Sequence, residues 1–558
     1  MKYLKDNLPI ISIIVIAVAF RFVNLANIPV GFNDDEAAFG YNAYSLIKTG
    51  RDEWGRLLPF PVFESFGDWK LVGYLYLTVA SEFLFGISEF ATRFPSALIG
   101  VLAVFSTYLL SKQLFNKSIA LLSALLLAIS PWHIIASRNA FESDLLVFFI
   151  TISTYFFLRG LSGKKFFTLA VLGFVLSFYI YRSAWTFIPL FLASLFYLYR
   201  KNLKLPKLFI FQTLVIGIVM LLPLVPTVFT FKGQSRFLQE SFTFGVQKAG
   251  IINQVNSQYS SCQRKLPSFY CRFIYNRYIF YFSHYLNNYF SNLSPETYYV
   301  NANPTGYQSA PQRSFFYTFE LPLFGAGLLF LILKKHKAIN ALIIWLLIVP
   351  LGPSLTTVGN PGRLNIIMPV PQIIEAFGLI SLLSLAKQSL LRMIVITSFI
   401  MIIMFSLVRL TADMLYYYPK VSSRFQRYGY KQLFNYLQSQ KDSYSQIAVS
   451  RRTDDAKQYI HYLFYEKINP SLFFDPNYTF RYRGEDGWQV VERIGNFEFY
   501  PSTPGTNNLP PKSLLAVGEK EVSFPSKPIF TVDDLNGDRL FEVYDIDQVK
   551  TSINFRGL

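Results

Sequence analysis

Hydrophobic and polar positions along this chain fall into long blocks rather than short periods. Apolar runs of about 20 residues recur up to residue 411, and a helix of that length crosses a bilayer core of about 30 Å. The pattern predicts about eleven spans, at 8–25, 90–111, 118–136, 143–159, 166–181, 184–199, 208–230, 317–333, 338–352, 364–386 and 391–411. Beyond Thr411 the apolar runs shorten. There "YKQLFNYLQSQ" and "DDAKQYIHYLFYEK" have helical periodicity, while "QIAVS", "LLAVGE" and "RLFEVYDI" read as short strands. The expected architecture is an α-helical polytopic membrane domain over 1–412 followed by a small α/β domain over 413–558.

The basic residues orient this scheme. Lys2 and Lys5, Lys112 and Lys117, Arg159 with Lys164 and Lys165, Arg200 with Lys201, Lys204 and Lys207, "KKHK" at 334–337, and Lys387 with Arg392 all fall on one side. The positive-inside rule makes that side the cytoplasm. It does so only if "KLVGYLYLTVASEFLFG" at 70–86 does not cross; with about 17 residues and Glu82 within it, this segment reads as an interfacial or re-entrant helix. The expectation is a multi-pass protein of the plasma membrane with a cytoplasmic N-terminus, outer loops at 26–89 and 231–316, and an extracytoplasmic C-terminal domain. The first apolar run follows Lys2 and Lys5 but has no small-residue cleavage site after it, so it reads as a retained span.

Composition agrees with that class. The chain has 558 residues, 52% of them hydrophobic and 15% charged, a balance that excludes a soluble protein of this size. A net charge of +18 raises the question of nucleic acid, but the cations are dispersed through short loops, which fits topology and anionic lipid instead. The two cysteines, Cys262 and Cys271, share the long outer loop, and a disulfide between them is expected in an oxidising compartment. The same loop carries Tyr275, Tyr278, Tyr281, Tyr285 and Tyr289, an aromatic belt at the interface or a lid over a site. "DDLNGD" at 533–538 superficially matches a calcium loop but lacks the acid at its twelfth position, and Asn536-Gly537 reads as a hairpin turn.

The densest acidic cluster, Asp34, Asp35 and Glu36 in "GFNDDEAAFGYNAYSLIKTG", stands just past the first span. Asn33 with Glu36 makes a capping-box pattern, and acids in a first turn suit the helix dipole. Three adjacent carboxylates repel one another beside a low-dielectric surface, however, so cations are expected nearby. Arg21, Lys70, Arg138, Arg182 and Arg363 all fall at the outer level, with Glu142 and Asp144 close to Arg138 in sequence. Taken singly, each cation also fits a snorkelling interface residue. Together they suit a lipid phosphate held by Lys and Arg, with a carboxylate left to accept a proton from an incoming hydroxyl. A transporter would tend instead to repeat its halves and place charge at the midplane, and a binding scaffold would leave the membrane-level charges unexplained.

The motifs "NDDEAAFGYNAYSL", "DWKLVGYLYL", "SEFATRFPSAL", "SPWHIIASRNAFESDLLVFF" and "YIYRSAWTFIPL", in that order, resemble the GT-C glycosyltransferases, in the branch of protein O-mannosyltransferases and lipid A aminoarabinose transferases. The likeness covers roughly 8–412 and is strongest in the first 200 residues. It implies an inverting transfer of a sugar from a polyprenyl-phosphate donor to a protein, lipid or surface-glycan hydroxyl. It also implies that Asp35 is the catalytic aspartate with Glu36 beside it, that Lys70 and Arg138 contact the donor phosphate, and that Glu142 is the second acidic position. Asp144 joins Glu142 as a supporting acid, and topology adds Arg182 and Arg363 to the phosphate side. Asp34 is an extra acid relative to the family pattern, which leaves the base open between Asp34 and Asp35. The family's Pro pair after the lysine is replaced by Leu71-Val72. No nucleotide-binding loop is present, and no metal is required by this reading, although the acids make a divalent ion possible.

Overall fold

The structure is a computed structural model that describes residues 2–230, 241–244, 247–301, 308–310, 312–451, 457–484, 488–501, 503–505 and 508–556. Two compact units divide the chain, with one boundary between Leu410 and Thr411. One comprises Met1–Val23, Ser96–Ser137 and Phe141–Leu410; the other joins Asn24–Pro95 and Arg138–Ala140 to Thr411–Leu558. The C-terminal α/β segment therefore shares its unit with the first long loop.

The first unit is helical. Among the described residues of the whole chain, four helical stretches are long and apolar enough to cross a membrane: Glu89–Leu114, Glu142–Gly160, Lys207–Phe229 and Ser389–Ser422. Counting each bent pair as one span raises this to six, with Lys117–Ile129 and Pro131–Arg138 meeting at 57° and Pro361–Ile367 and Val370–Leu385 at 46°. Ser183–Tyr199, Glu320–Leu333 and Ile339–Leu355 are apolar but shorter. The apolar runs are thus real, but breaks divide several of them into pieces shorter than the bilayer. The Glu320–Leu333 and Val370–Leu385 helices approach until Gly327 lies on the Ile374 carbonyl and Gly378 on the Leu323 carbonyl, where a Cβ has no room. The tyrosine-rich helix Arg277–Leu293 lies on residues 347–357, with Tyr285 donating to the Leu351 carbonyl and Tyr289 to that of Leu347. Cys262 and Cys271 are disulfide-bonded, with Cα atoms 5.7 Å apart.

The second unit is α/β. A hairpin of β1 (Val62–Ser65) and β2 (Asp68–Leu71) turns at Phe66-Gly67, both with positive φ, as a tight hairpin needs. The helix Gly73–Phe85 follows; its 13 residues reach about 20 Å, short of a bilayer core. The main sheet contains β3 (Gln446–Ser450), β4 (Thr479–Arg483), β5 (Gln489–Ile494), β6 (Phe497–Tyr500), β7 (Ser513–Gly518), β8 (Phe530–Asp533) and β9 (Arg539–Asp545), in the order β4-β5-β6-β3-β7-β9-β8. Only β3 pairs in parallel, with β6 and β7. "DDLNGD" forms the β8–β9 turn, where the Asp534 carboxylate accepts from the backbone N–H groups of Asn536 and Asp538. One core joins Phe32, Ala37, Ala38 and Tyr41 of the first loop to Leu433, Phe434, Ile460 and Phe464 of the C-terminal segment and to the inner face of the sheet.

Candidate active site

The acidic cluster opens the helix Asp34–Thr49. Asn33 stands in extended backbone at its N-cap, and the capping box is complete: the Asn33 side chain accepts from Glu36 N–H, and the Glu36 carboxylate accepts from Asn33 N–H at 3.2 Å. The approach to the cap is fixed by Gly31, which has φ +79° and lies against the backbone of Gln426, so a side chain there would meet both strain and collision. Successive residues on a helix point about 100° apart. The three acids consequently face three different neighbourhoods.

Glu36 faces inward and is fully buried. Arg93 clamps it in a two-pronged pair, Nε to Oε1 at 2.8 Å and Nη2 to Oε2 at 2.9 Å, and Ala140 N–H donates to Oε1 at 2.9 Å. Together with Asn33 N–H, four donors reach this carboxylate. An acceptor so fully occupied and buried holds the helix end in place. Arg93 in turn donates to the carbonyls of Leu25, Ala26, Pro29 and Gly31, which ties the whole 25–31 segment to the cap.

Asp34 is 13% exposed and meets three basic side chains of the C-terminal segment. Arg427 donates to both oxygens at 3.1 and 3.0 Å, His461 Nε2 lies 3.0 Å from Oδ1, and Lys457 Nζ lies 3.8 Å from Oδ2. Burial alone would raise its pKa, but the hydrogen bond from His461 and the charges of Arg427 and Lys457 outweigh it and hold Asp34 well below the usual carboxylate range. Burial pushes the His461 imidazole below its ordinary value, against the opposing pull of Asp34. A neutral imidazole donating from Nε2 satisfies both shifts.

Asp35 differs from both. Its side chain is 28% exposed, the most open of the three, and its ion-pair partner is Lys70 on β2. Lys70 is itself almost buried, with its ammonium 5.1 Å from the Phe39 ring centre and 5.4 Å from that of Phe66. Lys70, one of the cations expected beside the cluster, is paired with it.

The other expected site residues are placed otherwise. Arg138 is 2% exposed and donates to the backbone carbonyls of Ile28 and Asn24, so much of its fork serves the chain rather than a ligand. Arg182, Arg363, Glu142 and Asp144 belong to the helical unit. There Arg182 precedes the Ser183–Tyr199 helix, Arg363 donates to Thr356 Oγ1, and Glu142–Asp144 forms a single tight turn before Leu145–Gly160. Asp144 is buried, with His133 Nε2 at 4.0 Å; His133 Nδ1 in turn accepts from Arg21 Nη2 at 2.6 Å. Among the described residues no group of three or more His, Cys, Asp or Glu side chains is arranged to hold a metal ion. Arg93, Arg427, Lys457 and His461 were not singled out by sequence reasoning. Arg93 lies in a quoted motif, "SEFATRFPSAL", but the other three are about 400 residues from their partner, and no local pattern marks them.

In class this is a helical membrane protein with a charged cluster opening a helix in its first long loop. Its sequence likenesses are to glycosyltransferases. Residues 72–226 match the family of dolichyl-phosphate-mannose-protein mannosyltransferases, a stretch that includes Arg93, Arg138, Glu142 and Asp144 and begins just after Lys70. YkcB of Bacillus subtilis (strain 168), provisionally named a mannosyltransferase, is 27% identical over 216 residues, 37% of this chain and 28% of that protein. An uncharacterized protein of Aquifex aeolicus (strain VF5) is 39% identical over 83 residues, 15% of this chain and 17% of that one. The chain thus spans less than a third of the length of either relative. Among solved structures, ArnT from Cupriavidus metallidurans in the apo state is 10% identical, covering 96% of this chain and 97% of that one with a TM-score of 0.49. The oligosaccharyltransferase AglB from Archaeoglobus fulgidus, in complex with an inhibitory peptide and a dolichol-phosphate, is 14% identical, covering 83% and 64% with a TM-score of 0.48.

Proposed function

We propose that the chain is an inverting glycosyltransferase that moves a sugar from a polyprenyl-phosphate donor to a hydroxyl of a protein, lipid or surface glycan on the outer face of the plasma membrane. The observation that carries the reading is the division of labour among three adjacent carboxylates. Glu36 is occupied by four donors, Asp34 is held by three basic side chains, and Asp35, paired with Lys70, has the most exposed side chain of the three. A general base must be within hydrogen-bond reach of the proton it takes, and the exposure of Asp35, the greatest of the three, supports that role for it. The family match over 72–226 supports the same chemistry.

In this mechanism Asp35 accepts the proton of the acceptor hydroxyl as its oxygen attacks the anomeric carbon. The bond from that carbon to the phosphate oxygen breaks, the phosphate leaves with the bonding pair, and configuration inverts. Lys70 offers positive charge next to the base, where a lipid phosphate at the membrane surface would sit. Arg93 and Arg138 hold the 24–31 segment and Glu36 in place, which fixes the helix end that presents Asp35. By the parity of basic loops the N-terminus is cytoplasmic and this cluster faces outward.

The test is transfer of label from a panel of polyprenyl-phosphate sugars by the protein in proteoliposomes. Asp35→Asn preserves size and is expected to lower turnover by about 100-fold with the protein still folded. Transfer at the parent rate by Asp35→Asn would remove Asp35 as the base, and no transfer from any donor by the parent would remove the reaction.

A further inference from the structure

Within the helical unit a cavity of about 520 Å³ is lined by Gln113, Tyr199, three leucines and the turn 334–338. That volume is in the range of small-molecule sites. The turn is "KKHKA", and among the described residues no Asp or Glu lines the cavity. Among the described residues, none of Lys334, Lys335 and Lys337 forms an ion pair. His336 adds no charge: burial and the neighbouring Lys334 ammonium keep its imidazole below the ordinary value.

Two features separate this turn from the cations that commonly finish a helix. The cavity is bordered by the C-terminal ends of Glu89–Leu114, Leu145–Gly160, Ser183–Tyr199 and Glu320–Leu333. Each helix end favours a cation, but the first three already have their own in Lys112, Arg159 and Arg200. Three lysines on the fourth exceed what one helix end calls for. Second, Lys335 has φ +47°, in the left-handed region where a helix commonly ends on glycine. Lys335 stands there at conformational cost and, among the described residues, its side chain has no acidic partner.

We propose that this cavity binds the phosphate of an anionic phospholipid, with Lys334, Lys335 and Lys337 supplying the charge. The site lies where apolar helices end, which is the depth of lipid headgroups, and Leu114, Leu158 and Leu161 give it an apolar wall beside the cations. This favours a lipid over a free anion. The inference stands apart from the glycosyl-transfer reading, since it uses none of the same residues.

The experiment uses the full chain in mixed micelles of equal parts phosphatidylcholine and phosphatidylglycerol, with retained lipids counted by native mass spectrometry. The parent should retain phosphatidylglycerol preferentially. Lys335→Gly suits the left-handed backbone, so it should keep or raise the thermal midpoint while lowering that retention about fivefold, the scale for one lysine at an anionic surface. Lys337→Gln should lower retention by a similar factor and provides a second reading at another position. Equal retention by the parent and both variants would overturn the proposal, as would complete displacement of the lipid by inorganic phosphate.

Discussion

The acidic cluster at the start of Asp34–Thr49 and the basic turn at 334–337 each place three like charges within four residues, yet they are resolved in opposite ways. Every acid of the first has a basic partner from elsewhere in its own unit: Arg427 for Asp34, Lys70 for Asp35 and Arg93 for Glu36. The lysines of the second have no acidic partner among the described residues. Like-charge density along the chain is therefore a poor guide by itself. Charge compensated within the fold is architecture, and what remains accessible after compensation is available to a ligand. Within the acidic cluster accessibility then ranks Asp35 first, whereas the basic turn keeps all of its charge.

The largest effect that could break this comparison is at the buried pair. Arg93→Met keeps bulk but leaves the Glu36 carboxylate buried and unpaired, and it also removes the donors to four carbonyls of 25–31. Removing one partner of a buried pair typically costs about 3–5 kcal/mol, so the thermal midpoint in detergent should fall sharply and expression with it. A variant with the parent midpoint would mean that Glu36 is not compensated as described.

The two aspartates come next, and they should separate. Asp34→Asn leaves Arg427 and Lys457 facing a neutral group and is expected to cost about 1–3 kcal/mol of stability, with turnover of the folded fraction retained. Asp35→Asn should do the reverse, lowering turnover about 100-fold with little change in midpoint. Measuring midpoint and turnover for both variants sharpens the assignment; the opposite pattern would make Asp34 the base.

How much of this was legible in the sequence depends on the distance between partners. The capping box needs only Asn33 and Glu36, three residues apart, and Lys70 stood out as a lone cation beginning an apolar segment. β3, β7 and β9 coincide with apolar runs that read as strands. By contrast β4, "TFRYR", and β5, "QVVERI", are half-exposed and rich in charge, and they form because the sheet pairs them rather than because their pattern demands it. Arg427, Lys457 and His461 were invisible for the same reason. Their role is created by a fold that brings the C-terminal segment onto the first loop, and so is the grouping of Asn24–Pro95 with Thr411–Leu558. Arg138 adds what the family resemblance, which pointed to a phosphate contact, did not contain: a buried guanidinium has many donors to satisfy, and nearby carbonyls accept from it.

A smaller effect tests the contact between His461 and Asp34. Folded His461 resists protonation, whereas in the unfolded chain it titrates near pH 6.5. Below that value the unfolded state binds the additional proton, so stability should fall as pH drops from about 6.5 toward the lowered folded value, by at most about 1.4 kcal/mol per pH unit. Asp34 has the depressed pKa of a paired acid, so its contribution is lost only below the ordinary carboxylate value of about 4 and does not affect this window. His461→Gln retains a donor and removes the titration. Its stability profile between pH 7 and 5 should be flatter than that of the parent; parallel profiles would show that His461 is protonated in the fold.

The smallest expected effect is at Lys431, whose Nζ lies 2.9 Å from Glu89 Oε2, a separation much like the 2.8 Å between Arg93 and Glu36. If distance set the worth of an ion pair, the two would be comparable. They differ in exposure, because the Lys431 side chain is 50% accessible and Arg93 is fully buried. Water screens the first pair, a flexible lysine loses conformational freedom on forming it, and Tyr465 still donates to Glu89 at 3.1 Å when the lysine is gone. Lys431→Ala should therefore cost less than about 1 kcal/mol, against several for Arg93→Met. Thermal midpoints of the two variants, measured in the same detergent, decide the matter. Equal losses would mean that burial is not what separates the architectural charges of this molecule from its incidental ones, and the ranking of Glu36, Asp34 and Asp35 by accessibility would fall with it.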